Sequence, residues 1–383
     1  MILAMRIAAD IFWQYKFINA LVGVSVFIFA LFRYMAQRNS RHGMVKKEIV
    51  LLFTMMVVAA YSYLIDMELG AAIIFGKLLA TYSIFLLGVT YTEKIENQKL
   101  LENIALFLIP ALLFLSVVNY GYIHWGNTKT FVGFYFFKAD FAIAVVVFLI
   151  IILRSDFNVK LKSSYFAISL YLIFISNSRI HFLSSIGVYF LWFFTFNETR
   201  FKLNVKKLIL IFLFSIGSLY IYFELSSAFG FLSIDTSSGL YTGGNTQGRD
   251  KIWSALIESF ANSNIFEQLF GRGFLADIKY AYAIDSNGID IHNSHNTYLF
   301  VMASQGYVGL TIFFMFNYLV LKKFVRLQSS LIINRQQRKI LFSFMAFYFI
   351  FILGGITSTL IIFQQLSWFF FFYAGALFSR VFK

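Results

Sequence analysis

Long apolar stretches alternate with short charged breaks along most of the chain. A helix of about 20 consecutive apolar residues is long enough to cross the hydrocarbon core of a bilayer. The stretches between charged breaks predict about eleven membrane-spanning helices, within a range of about 10–12. These predicted spans lie near 12–32, 48–65, 69–91, 103–119, 139–153, 163–177, 180–196, 208–224, 297–321, 340–357 and 359–379. The pattern therefore predicts an all-α polytopic integral membrane protein.

Composition supports lipid as the main solvent of this chain. Hydrophobic residues make up 60% of the sequence and charged residues only 13%, and the mean hydropathy is +0.75. A soluble fold could not bury this much apolar surface. The sequence contains no cysteine, which excludes disulfides and thiolate metal sites. No small-residue cleavage site follows the first apolar stretch, so we expect its helix to remain as a membrane anchor.

The charge balance is strongly basic, with a formal net charge of +14. A basic chain can bind nucleic acid, but here the Lys and Arg residues lie in short runs between the apolar stretches. Such runs are retained on the cytoplasmic side, which accounts for the charge without nucleic acid and predicts a cytoplasmic C-terminus. About eleven spans would then place the N-terminus outside.

Three segments are predicted to lie on the outer face: 119–138, the short corner 176–179, and 225–296. The last is long enough for a small external domain between an N-terminal bundle (1–224) and the C-terminal helices (297–383). It is rich in Ser, Gly and Asn, and an amphipathic helix is predicted from Arg249 to about Phe260. Because long polar loops often carry function, we expect the active chemistry here.

Two arginines are candidates for anion binding. Arg179, in SNSRIHF, stands at the predicted outer corner, where it either meets an anionic partner or extends to the lipid headgroups. Arg249 opens a predicted helix after a Gly-rich approach, so its guanidinium and free backbone amides could grip a phosphate together. Taken alone, the motif favours a solvated surface arginine at position 249.

Histidine and carboxylate side chains supply the other candidates. His295 lies where the external segment meets the next span, and an imidazole accepts protons near neutral pH; taken alone, the motif favours a histidine that forms a hydrogen bond at the interface. Asp66 and Glu68 have the spacing of a metal-binding pair, but a structural role in an outer turn is favoured because no third ligand is evident. Lys138 and Asp140 begin a span on its outer side and could pair or line a polar mouth.

Several short motifs resemble the O-antigen polymerase and O-antigen ligase family of bacterial surface-polysaccharide assembly. HNTYL at 295–299, followed by GYVGL at 306–310, is similar to the family signature that ends the large periplasmic loop. GRDKIW at 248–253 and FGRGF at 270–274 resemble two further elements of that loop, and Ser178-Arg179 resembles an outer turn. More loosely, 133–140 is similar to a segment that precedes another span. Gln305 departs from the pattern, because an acidic residue is frequent at that position.

The resemblance implies a C-type glycosyltransferase-like enzyme of the bacterial inner (cytoplasmic) membrane, with its active site facing the periplasm and no metal or cofactor. Its donor would be an oligosaccharide on undecaprenyl diphosphate. Arg179 and Arg249 would stabilise the diphosphate leaving group, and His295 would be the catalytic base. The residues expected to bind substrate are Lys138, Asp140, Asn296, Tyr298, Trp253 and Arg272.

The resemblance leaves more than one activity open. A polymerase joining lipid-linked repeat units is preferred, because the Phe-rich chain looks like the divergent polymerases of the family, and a chain-length regulator is a possible protein partner. A ligase that moves finished chains onto lipid A core would use the same donor. A transporter of the lipid-linked glycan would need ionisable groups within the membrane, of which Lys77 is the main example.

Overall fold

The computed structural model describes residues 2–12, 14, 16–36, 46–91, 96–125, 128–195, 204–228, 249–279, 294–329 and 334–382. Within these ranges the chain is almost entirely helical. The helices are α1 (Ile2–Ile11), α2 (Lys16–Ala36), α3 (Lys46–Asp66), α4 (Leu69–Val89), α5 (Gln98–Val117), α6 (Lys138–Arg154), α7 (Val159–Ile175), α8 (Arg179–Thr195), α9 (Val205–Ala228), α10 (Arg249–Ala261), α11 (Ile265–Phe270), α12 (Thr297–Gln328), α13 (Arg335–Gly354) and α14 (Gln364–Ala376), followed by a 3₁₀ turn (Arg380–Phe382).

Five helices in the described part of the chain are long and apolar enough to cross a membrane: α3, α4, α5, α12 and α13. The chain is thus a helical, multi-pass membrane protein, and about eleven spans remains a prediction. Helices α6, α7 and α8 have 17 residues each. They follow one another with short turns, so α6 and α8 begin at the same end of this helical group. The Ser- and Gly-rich parts of the predicted external domain lie outside the described residues.

Two elements differ from the sequence prediction. The first predicted span began at residue 12, yet helix α1 precedes it, because Arg6 and Asp10 interrupt its apolar pattern. In the structure these two residues form a buried ion pair, and Arg6 also donates to Gln364 Oε1 at 2.8 Å. The segment 119–138 contains a short antiparallel hairpin of β1 (Tyr122–Trp125) and β2 (Thr128–Phe131), which the sequence analysis did not predict and which is a small addition to an all-α fold.

Helices α4 and α14 form the closest contact of the core. A Cβ atom added at Gly88 would lie 2.0 Å from the Phe372 carbonyl oxygen, and one added at Gly375 would lie 2.1 Å from the Phe85 carbonyl oxygen. Glycine therefore lets the two backbones touch, which is how helices commonly pack where lipid replaces water. Buried aromatic rings fill the space around this contact. For example, the rings of Phe85 and Phe316 pack edge to face, with their centroids 5.4 Å apart.

A buried polar group ties α6 to α14. Arg154, the last residue of α6, forms an ion pair with Glu96 and also donates to the Tyr373 hydroxyl. The Tyr373 hydroxyl donates to the same Glu96 carboxylate at 2.6 Å. The predicted span 139–153 ends just before Arg154 and so leaves it in a charged break between spans; the structure places Arg154 inside the protein, where its charge is offset by a carboxylate rather than by water.

Candidate functional site

Three basic residues stand at the beginnings of three helices, within electrostatic range of one another. Lys138 is the first residue of α6, Arg179 of α8 and Arg249 of α10. Lys138 lies within electrostatic range of both arginines, and the two arginines lie within range of each other. The structure therefore brings together both predicted catalytic arginines and one predicted substrate-binding residue. We call Lys138, Arg179 and Arg249 the basic cluster.

The positive charges of the basic cluster repel one another. Burial, and then the charges of Arg249 and Arg179, lower the pKa of Lys138 to about 8. Burial followed by the charge of Arg179 likewise lowers the pKa of Arg249. Each residue also stands at a helix N-terminus, where the helix dipole disfavours a cation. An anion among the three side chains would relieve both effects, because helix N-termini and guanidinium groups are anion-binding groups.

The turn 355–360 connects Arg249 with the beginning of α12. Arg249 Nη1 donates to the Thr357 carbonyl oxygen at 3.1 Å. Thr297, the first residue of α12, donates its backbone N–H to Gly355 at 2.7 Å and its hydroxyl to Ser358 at 2.9 Å. His295 is only two residues before Thr297, so this turn links the predicted phosphate ligand Arg249 to the segment that carries the predicted base.

His295 occupies a bend that is fixed on both sides. Its own φ is +44°, in the left-handed region that few non-glycine residues adopt. Before it, Ser294 forms hydrogen bonds through three of its atoms. Its N–H and its hydroxyl each donate to Asp277 Oδ2 at 3.0 Å, and its carbonyl oxygen accepts from Trp253 Nε1 at 2.8 Å. After it, the Asn296 side chain caps α12. The half-buried imidazole is thus presented from a rigid backbone.

Two residues of this site were missed by the sequence analysis. Asp277 is 3% exposed, and burial raises its pKa, although hydrogen bonds from Ser294 act against that rise. His181 is buried two residues after Arg179; its Nδ1 bonds Ser178 Oγ at 2.7 Å, and it lies in electrostatic range of Arg249. The sequence signal for either is a single polar residue in an apolar context, which does not identify its partner.

The other predicted substrate-binding residues make structural contacts. Asn296 Oδ1 accepts from the backbone N–H groups of the first turn of α12 at 2.9 and 3.1 Å. The Tyr298 hydroxyl donates to the Ile352 carbonyl oxygen at 3.0 Å. Arg272 Nε donates to Glu267 at 2.6 Å, which holds α11. Their roles in substrate binding, like that of Trp253, stay predictions.

Asp140 belongs to a second polar group, two residues along α6 from Lys138. It interacts electrostatically with Asp10, Lys77 and Arg6. Two cations and two carboxylates therefore gather among α1, α4 and α6, and their formal charges cancel. This group differs from the basic cluster, whose charges add.

The glycines of the family-like motifs have a packing role. Gly271 and Gly306 have φ values of +83° and +67°, and Gly306 interrupts α12 with a kink. A Cβ at Gly271 would lie 2.3 Å from the Ser304 carbonyl oxygen, and one at Gly306 would lie 2.3 Å from that of Leu269. The two motifs thus lie backbone to backbone, which fixes α11 against α12.

The acidic turn after α3 docks the segment that follows α11. Lys279 Nζ donates to Asp66 at 2.9 Å and to Glu68 at 3.0 Å, and the Leu275 N–H donates to Asp66 at 2.8 Å. The structural interpretation of this acidic pair therefore accounts for its contacts. Across the described ranges, no group of three or more His, Cys, Asp or Glu residues is placed to hold a metal ion.

Comparison with known proteins gives a family for the segment that carries the site. A family model described as O-Antigen ligase matches residues 164–314, which include Arg179, Arg249, Asp277 and His295; Lys138 lies outside. No curated protein and no solved structure matches the chain. The match confirms the resemblance of the motifs: residues 164–314 are similar to the O-antigen ligase family, whose members are glycosyltransferase-like enzymes, and this supports an O-antigen polymerase or ligase assignment.

Proposed function

We propose that this protein is a polymerase that transfers an oligosaccharide from undecaprenyl diphosphate to a sugar hydroxyl of a second lipid-linked repeat unit. The observation that carries the proposal is the basic cluster: Lys138, Arg179 and Arg249 converge where three helices begin. A diphosphate is the anion that the reaction must release, and it matches a site with several cations.

The basic cluster would act on the leaving group. As the bond between the anomeric carbon and the diphosphate breaks, negative charge grows on the phosphate oxygens, and preorganised cations stabilise that charge. Arginine presents a planar fork to two oxygens at once, whereas Lys138 offers a point charge. These residues supply the positive charge that many glycosyl transfers obtain from a metal ion, so we propose a metal-independent reaction.

His295 would act on the nucleophile. A sugar hydroxyl is a weak nucleophile until its proton is removed, and general base catalysis contributes typically about two to four powers of ten in rate. The hydroxyl oxygen attacks the anomeric carbon from the face opposite the diphosphate, its proton goes to the imidazole, and undecaprenyl diphosphate leaves. The anomeric configuration is inverted. Asp277 and Trp253 would orient His295 through Ser294.

The proposed architecture has about eleven spans, a C-type glycosyltransferase-like arrangement, and an active site facing the periplasm from the inner membrane. Helices α6 and α8 begin at the same end of their helical group, and Lys138 and Arg179 are their first residues. This arrangement supports a single site on one face of the membrane. A chain-length regulator is the proposed protein partner.

A ligase is the second candidate, favoured by the description of the matched family. It would use the same donor and the same basic cluster, with lipid A core as acceptor. Deletion of the gene separates the two functions on a lipopolysaccharide gel. Core capped with one repeat unit supports the polymerase; bare core with accumulated lipid-linked polymer supports the ligase.

The proposed chemistry is tested with purified protein and the isolated lipid-linked repeat unit. We expect a ladder of elongated glycans, and a loss of about 100-fold or more in rate for Arg249→Ala and for His295→Ala. Matched controls are Arg326→Ala and His124→Ala, which change exposed residues of the same types elsewhere. Equal rates in the site variants and the controls would refute the catalytic roles.

A further inference from the structure

A surface cleft of about 340 Å³ lies between the end of α1 and the β1–β2 hairpin. The residues that line it include the aromatic Tyr120, Tyr122 and Phe134 and the amide residue Gln14. Tyr120 is 63% exposed, so its ring is accessible. Sites for small ligands are commonly lined in this way, by aromatic groups with a few polar ones, and start at about 300 Å³.

Two glycines line the cleft on either side of the hairpin. Gly121 and Gly133 have φ values of +82° and +57°, and the Gly121 carbonyl oxygen accepts the N–H groups of Val132 at 2.9 Å and Gly133 at 3.1 Å. A Cβ at Gly121 would lie 2.8 Å from the Gly133 carbonyl oxygen, and one at Gly133 would lie 2.7 Å from Leu112 Cδ2. The two glycines therefore pack closely and fix the backbone from which the aromatic residues of the cleft extend.

The cleft is adjacent to the basic cluster. Its lining ends at Tyr135, three residues before Lys138. Three residues of fully extended chain cover at most about 11 Å, so the two Cα atoms are no farther apart than that. A glycan of a few sugars, with its diphosphate in the basic cluster, has the length to enter the cleft.

We propose that this cleft binds a sugar residue of the lipid-linked glycan. A pyranose has an apolar C–H face that packs on an aromatic ring by dispersion, while its hydroxyls bond amide and backbone groups. The aromatic residues and the Gln14 amide provide both kinds of contact. The inference rests on the proposed function, and it adds a glycan subsite outside the segment 164–314.

Binding measurements with two probes test the subsite. The first probe is the oligosaccharide released by mild acid from the cell's lipid-linked pool; the second is a polyprenyl diphosphate without sugar. We expect Tyr120→Ala and Gln14→Ala each to weaken binding of the oligosaccharide, by about tenfold for Tyr120→Ala. Binding of the polyprenyl diphosphate should not change. Tyr220→Ala is the matched control, because Tyr220 is 69% exposed but lies on α9, outside the cleft.

The same variants distinguish the possible outcomes. Parental affinity of Tyr120→Ala and Gln14→Ala for the oligosaccharide overturns the subsite. A loss of affinity for the sugar-free polyprenyl diphosphate also overturns it, because the cleft would then bind lipid. In steady-state assays of these variants, an increase in KM for only one of the two substrates, the lipid-linked donor or a soluble acceptor, supports the subsite. The substrate whose KM increases is the one whose glycan the cleft binds. Failure of the proposed function is separate: it requires that Arg249→Ala leave diphosphate binding and turnover unchanged.

Discussion

Each residue of the basic cluster can be interpreted through its position on a helix. Arg179 was a candidate from sequence because a cation at the outer corner of a membrane helix is costly without an anionic partner, and Arg249 because it opens a helix after a Gly-rich approach. The structure adds that Lys138 joins them and that all three oppose a helix dipole. Asp277 and His181 could not be predicted, because their importance comes from partners distant in sequence or from burial that hydropathy does not report.

Lys138 gives the reaction a predicted pH dependence. Its pKa is lowered to about 8 by burial and by Arg249 and Arg179, so the ammonium is charged below that pH and neutral above it. We expect kcat/KM for the lipid-linked donor to fall as pH rises through about 8, because this parameter reports the free enzyme. Lys138→Arg should shift this fall to much higher pH, since arginine stays charged. If kcat/KM fell over the same alkaline pH range in the parent and in Lys138→Arg, the assignment of this pH dependence to Lys138 would be contradicted.

Asp277 is predicted to position His295. Asp277→Ala removes the acceptor of two hydrogen bonds from Ser294 and leaves a buried N–H group without its acceptor, at a cost of about 1–3 kcal/mol. We expect kcat to fall about tenfold or more while KM for the donor stays near the parental value, because the basic cluster is intact. Asp277→Asn should recover part of kcat. A change confined to KM, or to protein yield, would argue against positioning.

At the scale of elements, the glycine motifs explain how the site is assembled. The motif segments were predicted as landmarks of a loop, whereas the structure shows them as the contact between α11 and α12. Hydropathy located most helices well, because apolar length is visible in sequence. It missed α1, whose Arg6 and Asp10 are neutralised only by tertiary contacts, and it missed the hairpin, which is too short to give a periodic signal.

Gly306→Ala is predicted to disrupt the contact between α11 and α12. The added Cβ would fall 2.3 Å from the Leu269 carbonyl oxygen, and a left-handed φ alone costs a non-glycine residue about 1–3 kcal/mol. We expect a clear drop in the thermal unfolding midpoint in detergent, with loss of activity. Gly76→Ala is the control: no atom lies within 4 Å of its added Cβ, and alanine favours a helix. Equal midpoints for both variants would refute the packing role.

At the scale of the whole molecule, the site and the basic residues lie near opposite ends of helix α12. Helix α12 begins at Thr297, beside the site, and ends near Arg326, in the basic run predicted to face the cytoplasm. The segment 164–314 carries the family match, while Lys138 and the proposed glycan subsite lie before it. The sequence predicted this polarity from charge, but charge does not determine the number of spans, because short apolar helices can cross, re-enter or remain buried.

The absence of cysteine in the sequence makes the predicted orientation easy to test. Asn262→Cys and Ser329→Cys introduce single exposed thiols after α10 and after α12. In intact spheroplasts we expect an impermeant maleimide to label Asn262→Cys only, because the basic loop faces the cytoplasm. Ser329→Cys should react once the membrane is permeabilised. The reverse pattern would place the basic cluster on the cytoplasmic face and rule out a periplasmic polymerase.

The central claim is that Lys138, Arg179 and Arg249 together hold the diphosphate of the donor, and its most direct test is the affinity of the purified protein for a polyprenyl diphosphate. Arg179→Lys and Arg249→Lys keep the charge but lose the planar fork, so we predict that each weakens binding about tenfold, since hydrogen bonds to charged groups contribute about 1.5–3 kcal/mol. Arg326→Lys should bind like the parent. The account would be contradicted if Arg179→Lys and Arg249→Lys, and also Arg179→Ala and Arg249→Ala, all bound the polyprenyl diphosphate with parental affinity.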